Sequence, residues 1–267
     1  MTGRRVLLAA IPYLAFFLVP FGWLVLTSLW PDAELARPLP SHLTLESYRA
    51  ALAGGGLARA VLNSLAVGVT TTVLAVALAA PAAFAIAVLE LPGRRALLAV
   101  ALAISMFPPI ATASPLYVAL RAVGLLDTLP GLVLPYASFS LPLALWLLTA
   151  TFRDLPPDLY RAARVDGCGP ATALRRVLLP VAAPGLATSA LLVFVFAWNE
   201  LLYAITFIST PSRRTVPVAL ALFAGEYRDP WVVLAAASTL ATVPVVLVAV
   251  VFQRRVVAGL TAGAVKG

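Results

Sequence analysis

Six long stretches of this chain are almost free of charged residues, and they constrain its fold more than any other feature. They are residues 6–31, 60–89, 96–120, 128–152, 177–212 and 230–253, and Glu200 is the one charge inside them. A helix needs about 20 mainly apolar residues to cross the hydrocarbon core of a bilayer. Each stretch is long enough, so the sequence predicts an all-α polytopic membrane protein with six transmembrane helices.

The fifth stretch is longer than one span, and its prolines show where the span begins. Pro180 and Pro184 interrupt its first part, and proline disfavours the interior of a helix. We therefore expect the fifth span near residues 186–208. The six expected spans are 6–30, 62–89, 97–119, 130–152, 186–208 and 231–253, all within one domain that comprises residues 1–267.

The positions of the basic residues predict how these spans are oriented. If the N terminus is cytoplasmic, 12 of the 19 Lys and Arg residues lie in cytoplasmic segments and seven outside. Cytoplasmic loops carry an excess of Lys and Arg, so this orientation is favoured. It places both termini, the loop 154–185 and the tail 254–267 in the cytoplasm. The same distribution does not form the single basic face that a nucleic acid requires, so no nucleic-acid partner is expected.

The chain has few residues from which a catalytic or metal site could be built. Cys168 is its only cysteine, His42 its only histidine, and Lys266 its only lysine. Cys/His metal sites and Cys/His nucleophile pairs are excluded, as is a phosphate-binding loop with an internal lysine. We expect no catalytic residue, no metal and no cofactor in this chain, so any nucleotide energy comes from a partner.

The expected cytoplasmic loop contains the most informative local pattern. Pro156 and Pro157 favour the start of a helix, and Asp158 complements the helix dipole in its first turn. Gly167 and the following Gly-Pro pair end the helix after roughly three turns. Small alanines on its surface would let another protein approach closely, but a solvated connector helix fits the composition equally well.

This loop also carries a resemblance to a known family. The segment 160–167, Tyr-Arg-Ala-Ala-Arg-Val-Asp-Gly, followed by Leu-Leu-Pro at 178–180, resembles the EAA signature of inner-membrane permeases of binding-protein-dependent ABC importers. The chain is similar to the MalG-type carbohydrate branch and, within it, to the SugB-like permeases of trehalose uptake. Further similar segments are 43–48, Asn63-Ser64, 197–203 and 252–267. The resemblance implies the type I ABC importer permease fold.

In that family the signature helix docks on an ATPase subunit, and the C-terminal tail reaches the interface between the two ATPases. The resemblance therefore implies an ATPase-coupling role for Asp158, Arg161, Ala162, Ala163, Asp166 and Gly167. It implies an ATPase contact for Gly259, Leu260, Thr261 and Lys266. Arg161 replaces the leading Glu of the signature, so either the partner's charge has changed or Asp158 supplies the anion. Without the resemblance, a glycine-rich terminus such as this one would be expected to fray.

Two polar regions outside the loop are further candidates. Glu200 lies within the fifth span, where a charge costs on the order of 3 kcal/mol. With Asn199 and Tyr203 it either lines the translocation pathway or joins helices through hydrogen bonds. The expected outside loop contains Arg213, Arg214, Glu226 and Tyr227, which either contact a binding protein, as the resemblance implies, or are solvated. A short amphipathic helix is also predicted near residues 45–52, with Thr44 as its cap.

The resemblance implies a permease subunit that forms half of a translocation pathway in the bacterial inner membrane. Its implied partners are a second homologous permease, two ATPase subunits that bind ATP and Mg, an extracytoplasmic solute-binding protein, a sugar and membrane lipid. Trehalose or a related disaccharide is the expected sugar, with maltose, other oligosaccharides and glycerol phosphate as alternatives. A secondary transporter would need more ionisable residues within spans and commonly shows repeated halves. The chain lacks the residues from which an enzyme active site could be built, and a purely structural role would leave the signature unexplained.

Overall fold

The computed structural model describes residues 3–35, 37, 39–53, 56–226 and 231–262. Throughout these ranges the regular structure is helical, and no strand occurs in them. The α-helices are α1 (Gly3–Ser28), α2 (Glu46–Ala53), α3 (Gly56–Ala87), α4 (Arg94–Ser105), α5 (Pro109–Ala122), α6 (Leu129–Asp154), α7 (Pro157–Val165), α8 (Pro170–Ala173), α9 (Leu179–Val181), α10 (Ala183–Asn199), α11 (Leu202–Phe207), α12 (Val216–Glu226) and α13 (Trp231–Ala262). A π-helical segment, Leu174–Leu178, joins α8 to α9.

Four helices, α1, α3, α6 and α13, are by themselves long and apolar enough to cross a membrane. Two further spans become possible if bent helix pairs are counted as one span each. The first pair is α4 and α5, which are bent by 90°, and the second is Pro170–Val181 and α10, which are bent by 82°. The structure therefore contains four to six candidate spans by length and composition.

The expected third and fifth spans are interrupted in the structure. The segment 97–119 is divided between α4 and α5, because Pro108 has an extended backbone and Pro109 begins the next helix. Proline has no N–H to donate and disfavours the helical conformation of the residue before it. The segment 186–208 contains α10 and α11, and Glu200 between them has φ −72° and ψ 120°.

The core of the bundle is formed by α3, α6 and α10, which pack closely through small residues. Ala75, Ala79 and Ala83 of α3 are completely or almost completely buried and belong to the same cluster as Leu148 and Val193. Small residues let helix backbones approach within a membrane. A further close approach occurs at Gly185 of α10, where a Cβ atom would lie 2.3 Å from the Thr151 side chain.

Helix α1 lies at the edge of this bundle, where it packs along α13. None of its residues from 10 to 27 is buried, and Phe16 is 76% exposed. Such a surface suits lipid or another membrane subunit rather than water.

The two ends of the bundle are defined by different loops. At one end, here called the α7 end, the Phe84 ring of α3 lies 6.3 Å from Phe152 of α6 and 5.6 Å from Tyr160 of α7. The opposite end, here called the Asp127 end, contains α2 and the connection before α6. The predicted short helix is confirmed as α2, and Thr44 Oγ1 accepts a hydrogen bond from the Glu46 amide at 3.2 Å.

Candidate functional sites at the two ends of the bundle

Helix α7 begins and ends as its prolines and glycine predict. Pro157 is its first residue and Asp158 lies in its first turn. Gly167 has φ +80°, a left-handed conformation that favours glycine after a helix. The Cys168 amide donates to the Ala163 carbonyl at 2.9 Å, and Arg164 Nη1 donates to the Cys168 carbonyl at 2.9 Å. The local sequence thus produces a short helix with a well-bonded C terminus.

One face of α7 packs on the bundle and the other projects from it. Ala163 is buried, and Leu159 and Tyr160 are half-buried against the cluster that contains Phe84. Among the predicted coupling residues, Asp158, Arg161, Ala162, Asp166 and Gly167 are exposed. Ala163 differs from them because it anchors the helix to the bundle rather than facing outward.

Val165 lies on the projecting face and is 87% exposed. The sequence prediction did not select this residue. The available signal was an apolar side chain between Arg164 and Asp166 on an otherwise polar helix, where exposure to water brings no stabilisation. Val165 therefore presents an apolar side chain at the tip of α7, where it is accessible to another protein.

The replacement of the signature Glu by Arg161 has a local electrostatic consequence. Arg161 Nη1 forms an ion pair with Asp158 Oδ1 at 3.2 Å, and both side chains are largely exposed. Exposed pairs of this kind contribute about 0–1 kcal/mol. Asp158 therefore partly neutralises Arg161 within α7 instead of standing as an unpaired anion.

The predicted pathway residues have three different environments. The Glu200 carboxylate accepts hydrogen bonds from the Tyr203 amide at 3.0 and 3.2 Å and from the Ala204 amide at 3.3 Å. It thereby caps the start of α11, whose first amides have no partner within the helix. Its backbone carbonyl lies 3.4 Å from the Tyr136 hydroxyl, which donates to it.

Tyr203 is a core residue and Asn199 a surface residue. The Tyr203 side chain is 2% exposed, and its hydroxyl lies 2.6 Å from Thr112 Oγ1 and 3.2 Å from the Pro109 carbonyl. Asn199 is exposed, and its Nδ2 donates to the Val195 carbonyl at 2.8 Å. Asn199 also lines a pocket with Trp198 and Ser238. Of the three predicted pathway residues, the structure leaves Asn199 the most open to a solute.

At the Asp127 end, one carboxylate organises the beginning of the predicted outside loop. Asp127 Oδ1 accepts from the amides of Ser209 and Thr210 at 3.0 Å each, and Oδ2 accepts from the Thr210 hydroxyl at 2.5 Å. Arg213 Nη1 donates to Oδ2 at 3.2 Å and to the backbone carbonyl of Asp127. Hydrogen bonds lower the pKa of the Asp127 carboxyl to about 2, and those from the Thr210 hydroxyl and amide contribute most.

Helix α3 holds the same loop from its other side. Asn63 Nδ2 donates to the carbonyls of Ser212 at 3.0 Å and Arg214 at 2.9 Å. Ser64 Oγ accepts from the Val216 amide at 2.8 Å. Segment 209–216 is therefore fixed both to α3 and to Asp127, which are distant from it in sequence. Only one nitrogen of the Arg213 guanidinium, Nη1, is bonded to Asp127.

The remaining predicted residues lie near or beyond the ends of the described ranges. Glu226 ends α12, while Tyr227 and Lys266 lie outside the described residues. Gly259, Leu260 and Thr261 are in the last turns of α13, which continues to Ala262. Within the described ranges, no three His, Cys, Asp or Glu side chains gather where they could hold a metal ion.

Four long apolar helices and two bent helix pairs, together with a polar helix that projects from one end, are the features of a multi-pass membrane protein. The chain belongs to the family described as binding-protein-dependent transport system inner membrane component, whose model matches residues 75–261. It is thus a multi-pass transport protein of the inner membrane, not an enzyme, and the predicted membership is confirmed. Members of this family act in general with ATPase subunits and a solute-binding protein.

Several curated proteins are similar over nearly the whole chain. The trehalose transport system permease SugB of Mycobacterium tuberculosis is 46% identical, covering 94% of this chain and 93% of that protein. The sulfoquinovosyl glycerol permease SmoH of Agrobacterium fabrum is 41% identical over 94% and 89% of the two chains. The trehalose/maltose permease MalG of Thermococcus litoralis is 38% identical over 99% and 98%.

A solved structure has the same fold. It is the crystal structure of a bacterial ABC transporter involved in the import of the acidic polysaccharide alginate. The match has a TM-score of 0.76 with 23% identity, and it covers 94% of this chain and 95% of that chain. An all-helical ABC importer permease fold is therefore shown.

Proposed function

We propose that this chain is one of two homologous permease subunits of an ATP-driven carbohydrate importer and forms half of its translocation pathway. The proposed substrate is trehalose or a related disaccharide. Its support is the 46% identity to a trehalose permease and the 38% identity to a trehalose/maltose permease, each over nearly the full length. Maltose, other oligosaccharides and glycerol phosphate are the alternative solutes.

The proposed topology has six spans with both termini in the cytoplasm. Helices α4 and α5 together form the third span, and α10 and α11 form the fifth. The excess of Lys and Arg in the predicted cytoplasmic segments supports this orientation. The α7 end then faces the cytoplasm, and the Asp127 end faces the outside.

The observation that carries the proposed coupling role is the projection of α7, on which Val165 is 87% exposed while Ala163 is buried. Asp158, Arg161, Ala162, Val165, Asp166 and Gly167 are the proposed contact with an ATPase subunit. Two separate ATPase subunits would bind ATP and Mg, and this chain would bind neither. Their closure on ATP would move α7 and, through Tyr160 and Phe84, the core helices.

The tail is a second proposed ATPase contact. Helix α13 has 32 residues, so at 1.5 Å per residue it is about 48 Å long. The hydrocarbon core of a bilayer is about 30 Å thick, which leaves the last turns, with Gly259, Leu260 and Thr261, free to extend into the cytoplasm. Deletion of residues 260–267, which include Lys266, should weaken assembly with the ATPases, and unchanged assembly would contradict the proposal.

In the proposed pathway Asn199 faces the solute, and Glu200 and Tyr203 stabilise the helices that position Asn199. The proposed contacts with the binding protein are Arg213, Arg214, Glu226 and Tyr227. ATP binding and binding-protein docking would favour the same outward-facing conformation, because each has a higher affinity for that state.

The test is the ATPase activity of the complex, co-expressed with its partner permease and ATPase subunits and reconstituted with the binding protein. Stimulation should require both binding protein and trehalose. It should disappear with Asp166→Ala and persist with Asp32→Ala, which removes an exposed acid at the opposite end. Stimulation by another sugar instead of trehalose would support the importer role and contradict the proposed substrate. Solute uptake without any ATPase subunit would indicate a secondary transporter instead.

A further inference from the structure

We propose that Asp127 is a positioning residue for transport, which fixes the outer loop 209–216 in the orientation that the binding protein requires. This inference rests on the proposed function, since it assumes that the loop meets a binding protein. The proposal adds a residue that the signature motifs of the sequence do not include.

The bonds of Asp127 connect two spans that are far apart in sequence. Its carboxylate accepts from Ser209, Thr210 and Arg213, which are 82 to 86 residues away. Its own amide donates to the Phe207 carbonyl at 3.0 Å, at the end of α11. A single residue between α5 and α6 therefore determines how the chain leaves α11.

The backbone of Asp127 is adapted to this contact. It has φ +57°, in the left-handed region that asparagine and aspartate adopt more readily than other residues with side chains. Its short carboxylate lies within reach of two successive amides of the neighbouring loop. A longer acid at the same place would have to move the loop or its own backbone.

Without the carboxylate, the loop loses four hydrogen bonds on this side, and only the bond from Arg213 Nη1 to the backbone carbonyl of Asp127 remains. The Ser209 and Thr210 amides precede a short helical turn, Pro211–Arg213, and Asp127 accepts hydrogen bonds from both. Asn63 and Ser64 would still bind the later part of the loop. The Ser209 and Thr210 amides would then lose their acceptor, and the beginning of the loop would sample several orientations relative to α3.

The contact lies at the edge of the packed core. The Asp127 side chain is 23% exposed, and it borders the apolar cluster that contains Phe207 and Ile208 without being enclosed by it. Removal of its carboxylate should therefore change the loop and leave the bundle assembled. This separates a positioning role from a general role in folding.

The test measures ATPase activity of the whole complex in lipid nanodiscs against the concentration of sugar-loaded binding protein. Asp127→Ala should raise the half-saturating concentration about tenfold, as expected for the loss of hydrogen bonds to a charged group. Basal ATPase activity and the maximal stimulated rate should stay at the wild-type level. Asp127→Asn keeps an acceptor for the two amides, and Thr210→Val removes only the hydroxyl donor, so both should give smaller increases.

Asp32→Asn is the matched control, because Asp32 is an exposed acid at the same end of the bundle and its carboxylate makes no hydrogen bond within the described residues. An equal increase in Asp32→Asn and Asp127→Asn would overturn the proposal in favour of a general charge effect. Wild-type half-saturation in Asp127→Asn and Thr210→Val would overturn it even if Asp127→Ala failed to assemble. A wild-type complex that no binding protein stimulates would contradict the proposed function itself, and that measurement is made first.

Discussion

The carboxylate of Glu200 accepts a hydrogen bond from the backbone amide of Tyr203 at 3.0 Å, across the break between α10 and α11. An acid that is costly to place in a membrane thus stabilises a helix start in the middle of an apolar segment. The same break exposes Asn199 and directs Tyr203 into the core. This relationship separates structural from solute-facing roles for three neighbouring residues.

Glu200→Ala should lower the stability of the complex while leaving its choice of sugar unchanged. Loss of the hydrogen bonds from the Tyr203 and Ala204 amides to this carboxylate should cost about 1–3 kcal/mol, and Gln at this position should cost less because it keeps one acceptor. Thermal unfolding of the purified complex and competition between sugars in uptake would measure the two effects. Asn199→Ala is the control, and it should change uptake more than stability. An altered sugar preference in Glu200→Ala at unchanged stability would assign this residue to the pathway.

Gly185→Ala should disrupt the contact between α6 and α10. Its Cβ would lie 2.3 Å from both Thr151 Cγ2 and Thr151 Oγ1, and overpacking of this kind costs about 1–3 kcal/mol. Adding Thr151→Ala removes those two atoms and should recover part of the loss. Gly22→Ala in α1, whose Cβ would meet no atom within 4 Å, should be tolerated. Equal yields of folded complex for Gly185→Ala and Gly22→Ala would show that the close approach is unimportant.

Val165→Asp should prevent the ATPase subunits from binding without affecting the fold. The side chain is 87% exposed, so its replacement removes no packing within the chain. A charge at the centre of an interface should weaken binding by at least about tenfold. Co-purification of the ATPase subunits would measure this. Val123→Asp, at a valine that is 68% exposed at the other end of the bundle, should leave co-purification intact, and an equal loss in both variants would argue against α7 as the contact.

The attachment of the outer loop by Asp127 should not depend on pH between 5 and 8. Hydrogen bonds lower the pKa of Asp127 from 3.8 to about 2, and the charged group that faces it is Arg213. A lowered acid pKa stabilises the folded state above the unfolded pKa, near 4, and this contribution is lost as the pH falls through about 2. The ratio of half-saturating concentrations between Asp127→Asn and wild type should therefore be equal at pH 5.5 and pH 8. A ratio that decreased toward pH 5.5 would mean that the carboxylate titrates in that range.

Features that depend on a few neighbouring residues were predictable from the sequence. The apolar stretches predicted where the long helices lie, because a bilayer accepts only helices of sufficient length with satisfied backbones. Pro156, Pro157 and Gly167 predicted the start and end of α7, and Thr44 supplies an acceptor for the first amide of α2. These are local effects of missing amides, left-handed glycine and side-chain acceptors, and they act before any helix packs on another.

The tertiary structure decided which of these residues meet. Glu200 and Tyr203 are three residues apart, but their roles depend on a helix break that turns one toward a backbone amide and the other into the core. Asp127 finds its partners 82 to 86 residues away, and no spacing in the sequence indicates such a contact. Gly185 and Thr151 are close only because α6 and α10 pack side by side. Local chemistry therefore determined the helices of this chain, whereas the packing of distant segments determined which polar groups are satisfied and which remain open to a partner.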